Sequence, residues 1–430
     1  MDIEPNAGQP PGHNPRQRML MLPLIAALLL GGYFAADSVA ALGPLLVSEL
    51  GLGRADIGLL YGVYSWPNVV MVLFGGLLTD RIGPRRASLL YSALIVLGTA
   101  LVALSPSLRG VGGLGGRAVF YGMVAGRTLL GLGAESLAVC QNAMITRWFR
   151  GHQLALAFAL TLTLARVGSL LSFATEADIA ARFGGVGAGL WAAFLVCLLS
   201  ALCNVIYVLL DRRLPELPAP SVPPPDASSG GLLSRAADFL RFGPKYYLLV
   251  AFCVCFYSAF FPFTALAADF LGEKWQLDAA VAGRLCSLLT AMTVLLSPVF
   301  GGYLDRGDRQ KRSDRVLLSA ALLLVPAYLL LGLSSLPPLP AFLLLGLAFS
   351  LAPAALWPQI GHLVAEHRVA TAYGLMTMLQ SVALAVVPWF SGTLRDRTAS
   401  YTASMLLFTI MGGLSVLWAL LLMRRVSPRV

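Results

Sequence analysis

Apolar stretches of about 20 residues recur along this chain between short polar segments, and that is the length at which a helix crosses roughly 30 Å of hydrocarbon. The pattern predicts twelve spans, over 19–46, 57–78, 87–106, 118–145, 152–175 and 188–210, then 246–270, 280–303, 316–335, 341–363, 369–394 and 400–423. Residues 1–18 hold no apolar core and precede a first span longer than a signal peptide's, so that span is expected to stay in the mature chain. The Pro- and Ser-rich tract within 211–245 cannot span lipid and reads as a linker. The expected organisation is a tail (1–18), a six-helix lobe (19–210), a linker (211–245), a second six-helix lobe (246–423) and a tail (424–430).

Composition agrees with a membrane solvent. Charged residues make up 12% and hydrophobic residues 57% of the chain, against about a quarter charged in soluble domains. Mean hydropathy is +0.77. A net charge of +10 would suit nucleic acid, but most Lys and Arg fall at the termini and in the loops after spans 2, 4, 6, 8 and 10. Positive charge marks the cytoplasmic face, so both termini are expected in the cytosol, the lipid bilayer is the expected partner and nucleic acid is not. All six cysteines (Cys140, Cys197, Cys203, Cys253, Cys255, Cys286) fall inside spans, which suits small buried side chains better than disulfides or metal ligands. No cofactor is expected. There is no Asn-X-Ser/Thr sequon, so no N-glycan is expected either.

The halves echo each other. GGLLTDRIGPRR (75–86) follows span 2 and GGYLDRGDRQKR (301–312) follows span 8, an internal repeat. The first resembles the G-X-L-X-D-R-X-G-R-K signature of the major facilitator superfamily. Arg127-Thr-Leu-Leu-Gly131-Leu-Gly133-Ala134 in span 4 resembles that superfamily's R-X-X-X-G-X-G-A pattern. The resemblance implies an all-α membrane protein with the major facilitator fold, two six-helix lobes around a midplane site. Asp80, Arg81, Arg85, Asp305 and Arg306 are then candidate gating residues that latch one conformation; alternatively the arginines only enforce topology.

An ionisable group inside a membrane costs roughly 2.5 to 3.5 kcal/mol on insertion scales, so each needs a reason. Four lie well inside the expected spans: Asp37, Arg127, Glu135 and Arg166. Glu135 and Arg166 sit near the middle of antiparallel neighbours and can share one depth. They form either a structural ion pair or the charged part of a polar cavity. Asn68, Trp66, Gln141, Asn142, Trp357, Gln359 and Gln380 favour the cavity. An acid and a base at one depth suit a small zwitterion: Glu135 takes an ammonium and Arg166 grips a carboxylate in its planar fork. Helix axes packed about 8 to 10 Å apart leave room for an amino acid or a dipeptide at about 3.6 Å per residue. Tyr33, Trp66 and Trp357 would accept varied side chains.

Further motifs run through both halves: Tyr64-Ser-Trp-Pro-Asn-Val-Val70, Glu135-Ser-Leu-Ala-Val-Cys-Gln-Asn142, Ala165-Arg166-Val-Gly-Ser169, Phe261-Pro-Phe263, Ser297-Pro-Val-Phe-Gly301, Leu356-Trp-Pro358, and Glu366-His367 before Thr371-Ala-Tyr-Gly374, with Tyr33 to Asp37. These resemble the family of major facilitator superfamily domain-containing protein 1, the lysosomal dipeptide transporter. The resemblance implies export of dipeptides to the cytosol by uniport, with Glu135 and Arg166 at the peptide's ends. It also implies a glycosylated single-span accessory lysosomal membrane protein. Residues 1–18 carry no acidic dileucine sorting signal, and the plasma membrane is the alternative location. The rival function is a proton-coupled symporter of another organic solute with Asp37 or Glu135 titrating, although no His lies mid-membrane and span 1 lacks E-X-X-E-R. A receptor or scaffold would need a larger soluble segment than the linker. An enzyme would need a nucleophile-base set, metal cluster or phosphate loop that the sequence does not show.

Overall fold

The computed structural model describes residues 15–108, 116–149, 154–212, 242–304, 309–364 and 369–424. Hydrocarbon offers no partner to a backbone N–H or C=O, and the described chain is accordingly built from helices. They are α1 (Pro15–Ala41), α2 (Gly43–Leu50), α3 (Arg54–Val63), α4 (Asn68–Ile82), α5 (Pro84–Leu104), α6 (Gly116–Phe149), α7 (Leu154–Phe183), α8 (Val186–Arg212), α9 (Pro244–Trp275), α10 (Ala279–Leu304), α11 (Arg309–Leu333), α12 (Leu339–Leu363), α13 (Val369–Thr398) and α14 (Thr402–Arg424).

Ten of these are individually long and apolar enough to cross a membrane. The other expected spans, the second and the fifth, fall on α3 with α4 and on α7. The 30 residues of α7 give about 45 Å of helix. The second span is broken because Pro67 has no N–H to give the preceding turn. Ser65 N instead donates to Gly62 O at 2.8 Å and Asn68 N to Ser65 O at 3.2 Å. The first span is likewise divided, α2 restarting at Gly43 and ending on Gly51 in the left-handed region, φ 69°.

Helices α1, α5, α6, α7 and α8 pack into one lobe, and α9 to α12 with α14 into the other. Small residues allow this. A Cβ added at Gly126 of α6 would lie 2.6 Å from the Gly98 carbonyl oxygen of α5, and one at Gly133 would lie 2.7 Å from that of Tyr91. The arginine-glycine pattern of span 4 is thus a close-packing stripe. The lobes meet through α3 on α13 and α7 on α10. Gly58 and Gly62, one turn apart on α3, face the carbonyls of Pro388 and Ala385, while Gly392 faces that of Arg54. All six cysteines are free, and Cys140, Cys197, Cys253 and Cys286 are buried.

Candidate functional site

The intramembrane charges divide by what they touch. Arg127 is 1% exposed and binds backbone, Nε donating to Leu60 O at 2.9 Å and Nη1 to Ala35 O at 2.8 Å, while its buried Nη2 has no partner among the described residues. It staples α6 to α1 and α3, and its Cζ stands 5.4 Å from the Tyr64 ring centre. The other three converge between α1, α6 and α7. Tyr33 lies within electrostatic reach of Arg166, Glu135 and Asp37 together. Asp37 accepts from Tyr61 OH at 3.3 Å, with Ser169 beside it.

Glu135 and Arg166 are both half-buried. Neither forms an ion pair with the other, nor with any other described residue. Asn68 and Tyr64 face the Glu135 carboxylate, placed there by the break at Pro67 and by Gly131, which admits the Tyr64 carbonyl against α6. Arg166 is held instead by rings, its Cζ 5.3 Å from the centre of Tyr33 and 5.6 Å from that of Phe349. A structural pair would have closed on itself. The two opposite charges therefore stand apart, Glu135 beside Asn68 and Tyr64 and Arg166 between rings.

The remaining candidates sort unevenly. Trp66 sits at the break, 50% exposed. Gln141 is buried and donates to Ile25 O at 2.5 Å, so it ties α6 to α1, while Asn142 is exposed. Trp357 donates through Nε1 to Tyr257 OH at 3.1 Å and accepts at its carbonyl from Tyr373 OH at 2.7 Å. Gln380 is buried, as is Gln359, which lies beside Asp314. Of the expected gate, Arg85 binds Asp211 at 2.5 Å inside its own lobe, where Arg147 also reaches Asp211 at 3.5 Å. Arg81 is exposed. The side chain of Asp80, and Asp305 and Arg306 altogether, lie outside the described residues.

A second cluster went unread in the sequence. At the end of the molecule opposite the start of α1 and the end of α14, Arg54 of α3 pairs with Asp269 at 2.9 Å and Glu273 at 3.6 Å, both on α9. Arg395 of α13 joins Glu273 at 2.6 Å. Asp396 accepts from the backbone N–H of Arg54 and Ala55 at 3.1 and 2.8 Å, and Tyr401 OH donates to Asp269. Arg284 of α10 pairs with Asp178 of α7 at 3.1 Å. These contacts clamp the lobes together there. The available signal was opposite charges just before span 2 and at the ends of spans 7 and 11, all on one side. Glu176 was also missed: it lies just beyond the expected end of span 5, is wholly buried, and neither carboxylate oxygen has a partner.

Comparison with known proteins gives the architecture its place. The model of the Major Facilitator Superfamily matches residues 24–388 and 248–430. A Homo sapiens protein named lysosomal dipeptide transporter MFSD1 is 33% identical over 389 residues, covering 88% of this chain and 80% of its own. The Bacillus subtilis hexuronate transporter is 24% identical, covering 95% of each chain. Among solved structures, a bacterial homolog of the human lysosomal transporter Spinster, inward-facing and unoccupied, superposes with a TM-score of 0.74 at 15% identity, over 96% of this chain and 98% of that one. The nucleoside transporter NupG gives 0.71 at 14% identity, over 95% and 100%. The chain is therefore a multi-pass membrane transporter of the major facilitator superfamily, and within it belongs to the family of the lysosomal dipeptide transporter MFSD1.

Proposed function

We propose that this transporter moves dipeptides, with Glu135 taking the peptide's ammonium and Arg166 its carboxylate. One observation carries the proposal: an acid and a base converge on one ring, half-buried, without pairing with each other or with any other described residue. Unpaired opposite charges at membrane depth are costly, and a zwitterion that bridges them supplies what each lacks. Trp66, Trp357 and Tyr33 give apolar surface for side chains of varied shape. Similarity to the MFSD1 family supports the same substrate class.

In this proposal the protein sits in the lysosomal membrane with both termini cytosolic, and exports dipeptides by alternating-access uniport. The clamp around Arg54 then seals the luminal end and leaves the site to the cytosol. The repeated acid-and-base turns at Asp80, Arg81 and Arg85 and at Asp305 and Arg306 act as the cytosolic latch in the opposite state. A glycosylated single-span partner fits a chain without a sequon of its own. The domain boundaries proposed from sequence, 19–210 and 246–423 around a linker, accompany it.

Counterflow of a radiolabelled dipeptide in proteoliposomes tests the proposal. Uptake driven by internal unlabelled dipeptide, and absent with hexuronate or nucleoside inside, is the expected result. The competing mechanism is proton symport, favoured by one observation: Asp37 stands beside the pair, held by Tyr61. An internal pH dye in the same vesicles decides between them. Uniport leaves it silent, and acidification in proportion to flux rejects uniport.

A further inference from the structure

Arg166 is held by rings from both lobes. Its Cζ lies over Tyr33 of α1 at 5.3 Å and over Phe349 of α12 at 5.6 Å. Phe349 has little freedom of its own: Phe260 of α9 stacks on it at 3.9 Å with planes 4° apart, and Phe261 meets it edge-on at 5.3 Å. The ring is 3% exposed. Trp357 and Tyr257 buttress the same wall, Tyr257 stacking on Phe261 at 5.6 Å.

The choice of rings has a chemical consequence. An aromatic face attracts a cation through its quadrupole, without the lone pairs by which a carboxylate takes a guanidinium's N–H groups. A guanidinium fixed by carboxylates would have its fork occupied before any substrate arrived. One fixed by rings is oriented while its N–H edges remain available for a bidentate carboxylate. Arg166 makes no hydrogen bond or ion pair among the described residues. Its second ring belongs to the opposite lobe, so the orientation depends on the lobes being together at this level.

We propose that Phe349 is the positioning residue for the carboxylate-binding charge, holding Arg166 across the lobe boundary so that its fork meets the substrate's terminal carboxylate. This rests on the assignment of Arg166 to that carboxylate. It adds that the second lobe takes part in carboxylate recognition through an apolar side chain.

The test uses the purified full chain and two probes, alanyl-alanine and its C-terminal amide, with affinities measured alongside thermal stability. The unaltered protein is expected to prefer the free acid. Phe349→Leu should cut that preference about five- to tenfold, in keeping with a desolvated cation-to-ring contact, while Phe349→Tyr should keep it. A ring-fluorinated phenylalanine at 349, which keeps the shape but drains the ring face of negative charge, should act like Phe349→Leu and guards against a leucine variant that folds poorly. A preference lost in Phe349→Leu but intact in the fluorinated protein would mean that shape alone matters and would overturn the inference. Full preference in both variants overturns it as well, with the carboxylate assignment left standing. Equal binding of both probes by the unaltered protein overturns the carboxylate assignment and the inference together.

Discussion

Arg54 on α3 and Asp269 on α9 join the two lobes through a 2.9 Å ion pair, with side chains 24% and 8% exposed. Asp269 also accepts from Tyr401 in the turn before α14, and Arg54 reaches Glu273, which Arg395 of α13 holds in turn. One buried anion thus gathers α3, α9 and the turn that leads into α14, while Glu273 adds α13.

Asp269→Asn should therefore loosen this end. Removing one partner of a fully buried pair typically costs about 3 to 5 kcal/mol, and the exposure of Arg54 lowers the expectation to about 1 to 3 kcal/mol. The loss should appear as a shift toward the conformation open at this end. Spin labels near the start of α3 and the end of α13 should report a longer distance in Asp269→Asn than in the unaltered protein. Exchanging the charges, Arg54→Asp with Asp269→Arg, should recover part of the short-distance population. An unchanged distance distribution in Asp269→Asn would show that the glycine-lined contact of Gly58, Gly62 and Gly392 holds the lobes without help from charge.

Arg127 should behave as a structural residue. Its guanidinium serves two carbonyls on different helices, Leu60 O and Ala35 O, and a lysine cannot span both with a fork it lacks. Arg127→Lys should lower stability by about 1.5 to 3 kcal/mol, the worth of a hydrogen bond to a charged group. Protein that survives should bind substrate with affinity within about threefold of normal, a difference under 1 kcal/mol. Thermal unfolding in detergent and a binding isotherm on the same preparation check both halves. A stable Arg127→Lys protein that no longer binds would move Arg127 into the site.

The charges show how far sequence carries. Glu135 and Arg166 could be found because ionisable residues inside an apolar run are conspicuous, and their shared depth follows from antiparallel neighbours of known length. Arg127 opens the superfamily's arginine-glycine pattern in the sequence, but that pattern does not say what its side chain binds. Arg127 and Arg166 are both arginines within spans, and only the tertiary positions of Leu60 and Ala35 reveal that one binds backbone. Gln141 was expected to line the cavity and is instead drawn to the Ile25 carbonyl. Phe349 was invisible for the opposite reason, being one apolar residue in an apolar run, with its role created by Arg166 arriving from the other lobe. The clamp around Arg54 and Asp269 joins positions more than two hundred residues apart, and pairing between span ends is set by how the lobes meet. Glu176 escaped by its position at an uncertain helix boundary, since α7 continues to Phe183.

The substrate assignment makes the sharpest prediction, because each charge is tied to one end of the peptide. An N-acetylated dipeptide loses its contact with Glu135, and a C-amidated one loses its contact with Arg166. Each cap should weaken binding about tenfold to a hundredfold, below the full cost of stranding a deeply buried charge because both groups are half-buried. Glu135→Gln should bind free dipeptides poorly and discriminate little against the N-acetylated form, while still rejecting the amide. Arg166→Lys keeps the charge and loses the fork, so it should weaken binding less than Arg166→Ala and keep part of the preference for a free carboxyl end, which Arg166→Ala should lose. If the two residues were a structural pair, the same mutants would unfold at lower temperature and the surviving protein would keep normal preferences between free and capped peptides. The lack of an ion pair between Glu135 and Arg166 argues for the first pattern. Competition by capped peptides and thermal unfolding, measured on the same purified mutants, separates the two, and stable protein with unchanged preferences would remove both residues from the peptide's ends.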